Sequence, residues 1–256
     1  MYKIMTAGPT QVRENVRMAR SLETTNPDLD VAFCEFYKET CDLMQELLHS
    51  SGTAYILGGE GILGLEAACA SLTEPGDRVL VLDNGIFGKG FADFAKMYGG
   101  EPVLFTSDYQ KPIDAAELRA FLEKDSDFKY ATVVHCDTPS GVINDVSVIC
   151  PMLAEFGILS VVDSVAGMFG EYVNVDESQI DILCGGSQKA LSAPAGLTML
   201  WVSDKAMAAM ENRKTPIAAF YANILTFKTY YEDKWFPYTM PISDINGLRV
   251  AVDNVK

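Results

Sequence analysis

Three places in the chain pair a reactive residue type with a setting that sharpens its chemistry. The first is Lys189 in Gly185-Gly186-Ser187-Gln188-Lys189, just after the apolar run Ile180–Cys184. An ammonium held among small residues at a strand end sheds its proton unless something pairs with it. The neutral amine that remains is the nucleophile that forms a Schiff base, although a strand-end lysine also suits plain solvent exposure. The second is Asp163, which closes the apolar run of LSVVDSVAG. A carboxylate there needs a cation or a set of donors, or it serves as a helix cap or turn residue. The third is Gly58-Gly59-Glu60-Gly61, opening into the stretch Ile62–Leu72. Its glycines let backbone approach a ligand, and a helix N-terminus offers N–H groups to a phosphate; turns of this kind also arise for packing alone.

Other chemistries fit poorly. The glycine spacing lacks the G-x-x-x-x-G-K-[ST] of a nucleotide-triphosphate loop, and no acidic residue follows where a dinucleotide fingerprint requires one. The two histidines, His49 and His135, have no neighbours at metal-ligand spacing, so no metal site is expected. His135 reads as a hydrogen-bonded strand-end residue.

Positioning such residues takes strands that end side by side. From Thr53 onward, short β-branched runs alternate with amphipathic stretches, as in a mostly parallel sheet flanked by helices. The runs Ala54–Leu57, Arg78–Asp83, Pro102–Thr106, Tyr130–His135, Leu159–Asp163, Ile180–Cys184 and Thr198–Val202 are expected strands. Between them Gly61–Leu72, Gly88–Tyr98, Asp114–Lys124, Asp145–Glu155 and Asp204–Arg213 are expected helices. Pro75-Gly76-Asp77, Asn84-Gly85 and Pro139-Ser140-Gly141 mark turns. An amphipathic helix from about Leu29 to Leu48 reads as a cover, and Asp244–Lys256 as the opening of a helix with no partner in the chain. In open α/β sheets ligands gather at the carboxyl ends of the strands, where Asp163 and Lys189 fall.

The 256 residues suffice for one large α/β domain. With 48% hydrophobic and 21% charged residues the chain is globular rather than disordered or fibrous. A net charge of -15 without a basic run argues against nucleic acid or an anionic membrane as partner. Six scattered cysteines without C-x-x-C spacing suit a reducing compartment. The start lacks a signal-peptide pattern and no stretch reaches membrane-span length, so a cytoplasmic location is expected.

Taken together, the motifs AGPT, EPGDRVLVLDNGIFG, HCDTPSGV, VVDSVAG, GSQKAL and FPYTMP resemble the class V aminotransferases, fold-type I enzymes that use pyridoxal 5′-phosphate (PLP). The resemblance spans almost the whole chain and is strongest to the alanine–glyoxylate and serine–pyruvate branch. It implies a PLP-transferase large domain with a mostly parallel seven-stranded sheet. It implies transamination between a small amino acid and a small 2-oxo acid, with a cysteine desulfurase of the same fold and a non-catalytic PLP-binding fragment as rivals. Lys189 would hold the cofactor as a Schiff base and shuttle the proton, and Asp163 would pair with the pyridinium nitrogen. Phe87 would stack on the ring and Thr138 would bond its hydroxyl. Gly61, Ile62 and Gln188 would hold the phosphate, and Thr239 would reach the neighbouring site of a homodimer.

Departures from the family pattern accompany this. Glu60 stands where a small hydroxyl residue is common, and a carboxylate beside a phosphate repels it, so Glu60 is expected to turn away or meet a cation. Ile62 replaces a frequent histidine, and Phe236 replaces a phosphate-binding tyrosine. The resemblance divides the chain into an N-terminal segment with its covering helix (1–50), a PLP-binding large domain (51–245) and the start of a helix toward a missing C-terminal small domain (246–256). Arg249 does not match the substrate-clamping arginine of that small domain.

Overall fold

The computed structural model describes residues 3–256. In chain order its elements are α1 (Glu14–Ala19), α2 (Val31–Leu47), β1 (Thr53–Gly58), α3 (Gly61–Leu72), β2 (Arg78–Asp83), α4 (Ile86–Met97), β3 (Glu101–Thr106) and α5 (Ala115–Leu122). Then come β4 (Tyr130–Val134), a small hairpin of β5 (Cys136–Asp137) and β6 (Val142–Ile143), α6 (Val146–Glu155), β7 (Leu159–Asp163), β8 (Ile182–Gly186) and β9 (Leu197–Val202). The chain continues through α7 (Asp204–Glu211), a 3₁₀ turn at Ile224–Phe227, α8 (Tyr230–Asp233) and α9 (Ile242–Asp253).

Helix starts follow from capping side chains, which satisfy amides that have no partner in the first turn. Asp30 accepts from Ala32 N, Asp114 from Ala116 N and Glu117 N, Asp145 from Ser147 N, and Ser203 from Ala206 N. The strands are apolar runs because helices cover both faces of a parallel sheet. Seven strands line up in the order β1-β9-β8-β7-β4-β2-β3. The neighbours among β3, β2, β4, β7 and β8 run parallel, and β9 is antiparallel to both β8 and β1. The carboxyl ends of β2, β4, β7 and β8 therefore come out along one edge of the sheet.

Two expected boundaries move for local reasons. β8 begins at Ile182 rather than Ile180, because the Asp181 carboxylate accepts from Ser160 N (3.0 Å) and Ser203 Oγ (2.8 Å). Its own N–H donates to Ser160 Oγ (3.0 Å), a side-chain bridge in place of a ladder. α4 starts at Ile86 rather than Gly88, directly after the Asn84-Gly85 turn, which puts Phe87 in its first turn. The final helix differs more: α9 has partners in the chain, burying Ile245, Leu248, Ala251 and Val252 and packing on α1 and α2. An Arg20–Asp244 ion pair (2.5 Å) ties its first turn to the end of α1.

β1 lies at the sheet edge, where outward-facing backbone groups lack strand partners. At Ile56 both are met by one side chain: Tyr37 of α2 accepts from Ile56 N (2.7 Å) and donates to Ile56 O (2.8 Å). Tyr37 is fully buried, so removing its hydroxyl strands two backbone groups away from water. We expect Tyr37→Phe to lower the unfolding free energy by about 2–3 kcal/mol in chemical denaturation, against a fraction of that for an exposed tyrosine.

Candidate active site

Asp163 is the last residue of β7 and only 6% exposed. Its Oδ1 accepts from Val165 N at 3.0 Å, and among the described residues no side chain donates to the carboxylate. Burial pushes its pKa up from 3.8 to about 6, against the downward pulls of that amide and of Lys189; Asp137 and Glu60 add further upward pressure. A carboxylate in this state favours a cation brought to it. The strand end itself is pinned from the neighbouring strand, since His135 N donates to Asp163 O at 2.8 Å. His135 Nδ1 lies 3.0 Å from Ser164 Oγ, and burial lowers the imidazole pKa. His135 is thus the satisfied strand-end histidine that its position suggested.

Lys189 follows β8 in a tight turn held by the N-terminal loop. Thr10 N donates to Gln188 O (2.9 Å) and Thr10 Oγ1 to Lys189 O (2.7 Å). Gly8 lies against the lysine stem so closely that a Cβ there would sit 2.2 Å from Lys189 Cδ and 2.7 Å from Nζ. A side chain at the glycine of AGPT would have to displace the lysine stem. Lys189 and Asp163 face one cavity of about 180 Å³, lined also by Phe87 from α4, Thr138 and Cys136 from the hairpin region, and Val165 and Ala166 after β7. Glu60, Ile62, Leu65 and Gln188 complete its wall. Lys189 is the one basic side chain among these lining residues.

Of the residues expected at the site, Lys189, Asp163, Phe87, Thr138, Ile62 and Gln188 all line this cavity. Gly61, the first residue of α3, stands between the lining residues Glu60 and Ile62 but is not itself among them; a Cβ there would meet Val165 Cγ2 at 2.7 Å. Thr239 lies apart, its hydroxyl donating to Asp28 Oδ2 (2.8 Å) at the surface. Phe236 is buried in an aromatic cluster with Phe33, Tyr37 and Tyr230. Arg249 pairs with Asp253 on α9.

Glu60 neither turns away nor meets a cation. Its carboxylate caps α3, with Oε1 accepting from Ile62 N (3.2 Å) and Oε2 accepting from Gln188 Nε2 (3.1 Å). Two donors expected to hold a phosphate are thereby spent on a carboxylate of the chain itself. Gln188 is 7% exposed and its Oε1 has no hydrogen-bond partner. Sequence reasoning missed Cys136, Val165 and Ala166 as lining residues. Their positions beside Thr138 and Asp163 were the available signal, since a strand-end turn presents several successive residues to the same crevice.

Comparison with known proteins identifies the family. The aminotransferase class-V family profile matches residues 25–255. A pyridoxamine–pyruvate transaminase of Mesorhizobium japonicum is 36% identical over 250 residues, covering 97% of this chain and 63% of that protein. A serine–glyoxylate aminotransferase of Arabidopsis thaliana is 28% identical, covering 98% and 64% respectively. Among solved structures, the ureidoglycine–glyoxylate aminotransferase of Bacillus subtilis superposes with a TM-score of 0.95 at 29% identity, over all of this chain and 66% of that one. The chain therefore spans 63% to 66% of the length of these relatives.

The raised Asp163 pKa makes a signed prediction for the cofactor-free chain. Below about pH 3 the carboxyl is protonated in both folded and unfolded states. As pH rises toward 6 the unfolded chain ionises first, so the folded state loses about 3 kcal/mol relative to it. Asp163→Asn removes that loss. The variant should be more stable than the parent by about that amount at pH 8 and equal to it at about pH 3, measured by chemical denaturation without cofactor.

Proposed function

The chain belongs to the class V aminotransferases, and from that premise we propose that it moves an amino group from a small amino acid, alanine- or serine-like, to a small 2-oxo acid, glyoxylate- or pyruvate-like. The observation that carries this reading is the pairing of Asp163 with Lys189 across one cavity at the strand ends. The relatives named above work with pyruvate or glyoxylate, which supports a small 2-oxo acid as acceptor.

Family membership implies pyridoxal phosphate as the cofactor. The ring end of the cavity fits it, because the buried Asp163 carboxylate has one backbone donor and room for a cationic ring nitrogen. The phosphate end fits it poorly, because Ile62 N and Gln188 Nε2 already donate to Glu60. When bound, the ring supplies an electron sink for negative charge developing at the amino acid Cα.

The chain's own groups do the rest. Asp163, ionised beside a cation, holds positive charge on the ring nitrogen and so keeps the sink effective. Lys189 Nζ would supply the covalent anchor and, once free of it, would carry the proton from the substrate Cα to the carbon on the other side of the nitrogen. Thr138 offers a hydroxyl to a ring substituent, and Phe87 walls the cavity with an aromatic face. Thr10 holds the Lys189 backbone carbonyl, and Gly8 leaves room beside the lysine stem.

Two finer readings belong here. A homodimer is supported by Phe220, Tyr221 and Trp235, all more than half exposed in the segment before Thr239; Thr239 would turn from Asp28 to the neighbouring site. A cytoplasmic location is supported by six unpaired thiols, five of them buried. No described helix is long and apolar enough to cross a membrane.

The test supplies pyridoxal and its phosphate together, reduces with borohydride and maps the product by mass spectrometry. One ring is expected on Lys189, and none on any residue in Lys189→Ala. In a parallel sample left unreduced, L-alanine should convert bound aldehyde to amine with release of pyruvate. Adduct without conversion would favour a binding-only protein, and sulfide release from cysteine would favour a desulfurase.

A further inference from the structure

Two of the three donors expected to cradle a phosphate in this cavity are already used, and most of what remains is of the opposite kind. At the α3 end the cavity presents the Glu60 carboxylate, with one oxygen on Ile62 N (3.2 Å) and the other on Gln188 Nε2 (3.1 Å). Beside it stands Gln188 Oε1, buried and without a partner. Both are acceptors. A phosphate monoester carries about -1.5 to -2 charge at pH 7 and seeks several donors, but of the expected ones only the Gly61 amide is left, and a carboxylate repels it. Phosphate sites at helix N-termini depend on open amides and usually on arginine or lysine. Here the amide is capped, no arginine lines the cavity, and its one lysine sits at the reacting end.

We infer that this site takes the unphosphorylated vitamin B6 ring, pyridoxal or pyridoxamine, whose 5′-hydroxymethyl group donates its proton to the Glu60 carboxylate. A hydroxyl is neutral, so it adds no charge to a cavity that already holds two carboxylates and one lysine. It is also a donor, which suits the carboxylate of Glu60 in the cavity wall. Glu60 is then a specificity-determining residue: it occupies the space and the donors that a phosphate would use. Because an unphosphorylated ring lacks the phosphate anchor, it can leave after the amino group moves, and the B6 compound becomes a substrate exchanged on each turnover. This rests on the aminotransferase reading above and names the compound that the site receives.

The experiment measures dissociation constants of pyridoxal and of pyridoxal phosphate separately, by the absorbance change on binding, for the parent chain, Glu60→Gln and Glu60→Ser. The parent should bind pyridoxal at least about 100-fold tighter than the phosphate, since like charges near a protein surface at contact distance cost two or more orders of magnitude. Glu60→Ser, which frees Ile62 N and Gln188 Nε2, should shift the ratio toward the phosphate by about 100-fold or more. Glu60→Gln, which removes the charge and keeps the size, should shift it part of the way. Far-ultraviolet circular dichroism and melting of each variant show whether it is folded, and either folded variant suffices. Equal or tighter binding of the phosphate by the parent, or a ratio unchanged in a folded variant, overturns the inference while leaving the aminotransferase reading intact. Failure of the parent to bind either aldehyde overturns both.

Discussion

A carboxylate buried at the end of a parallel strand, with one backbone donor and an open cavity before it, is the constraint around which this molecule is arranged. Asp163 is held there by its strand neighbours, and burial raises its pKa to about 6. Such a group costs stability at neutral pH until a positive charge meets it. The sheet tolerates it because the remaining strands are continuous apolar runs that supply the packing. The cost is what prepares the site: a cationic ring nitrogen placed beside Asp163 gains what the free protein lacks.

The topology explains why the partner groups converge. β7 and β8 are parallel neighbours, so Asp163 and the turn carrying Lys189 emerge at the same edge. β9 returns antiparallel and pairs with β1, whose carboxyl end leads into the Glu60 turn and α3. Residues more than a hundred positions apart in the chain, such as Glu60 and Gln188, thereby come within hydrogen-bond reach. The N-terminal loop closes the arrangement through Thr10 and Gly8, which set the path of the lysine stem.

Much of this was legible beforehand, for identifiable reasons. Lys189, Asp163, Phe87 and Thr138 each follow a strand or open a helix, and the strands announce themselves as apolar runs bounded by glycine and proline turns. The shift of β8 was not legible, because it depends on Asp181 meeting Ser160 and Ser203 from other segments. Nor were the partners of α9, whose buried face is completed by α1 and α2 from the far end of the chain.

By itself the sequence determined the strand-and-helix alternation, the family to which the chain belongs, and the residue types at the strand ends. These follow from local periodicity, turn chemistry and ordered motifs, all of which are properties of neighbouring residues. Only the tertiary structure decided what Glu60 does. Read along the chain it is a carboxylate misplaced beside an expected phosphate. In space it caps α3 and accepts from Gln188, because a hydrogen bond is set by distance and direction between groups that the chain brings together only on folding.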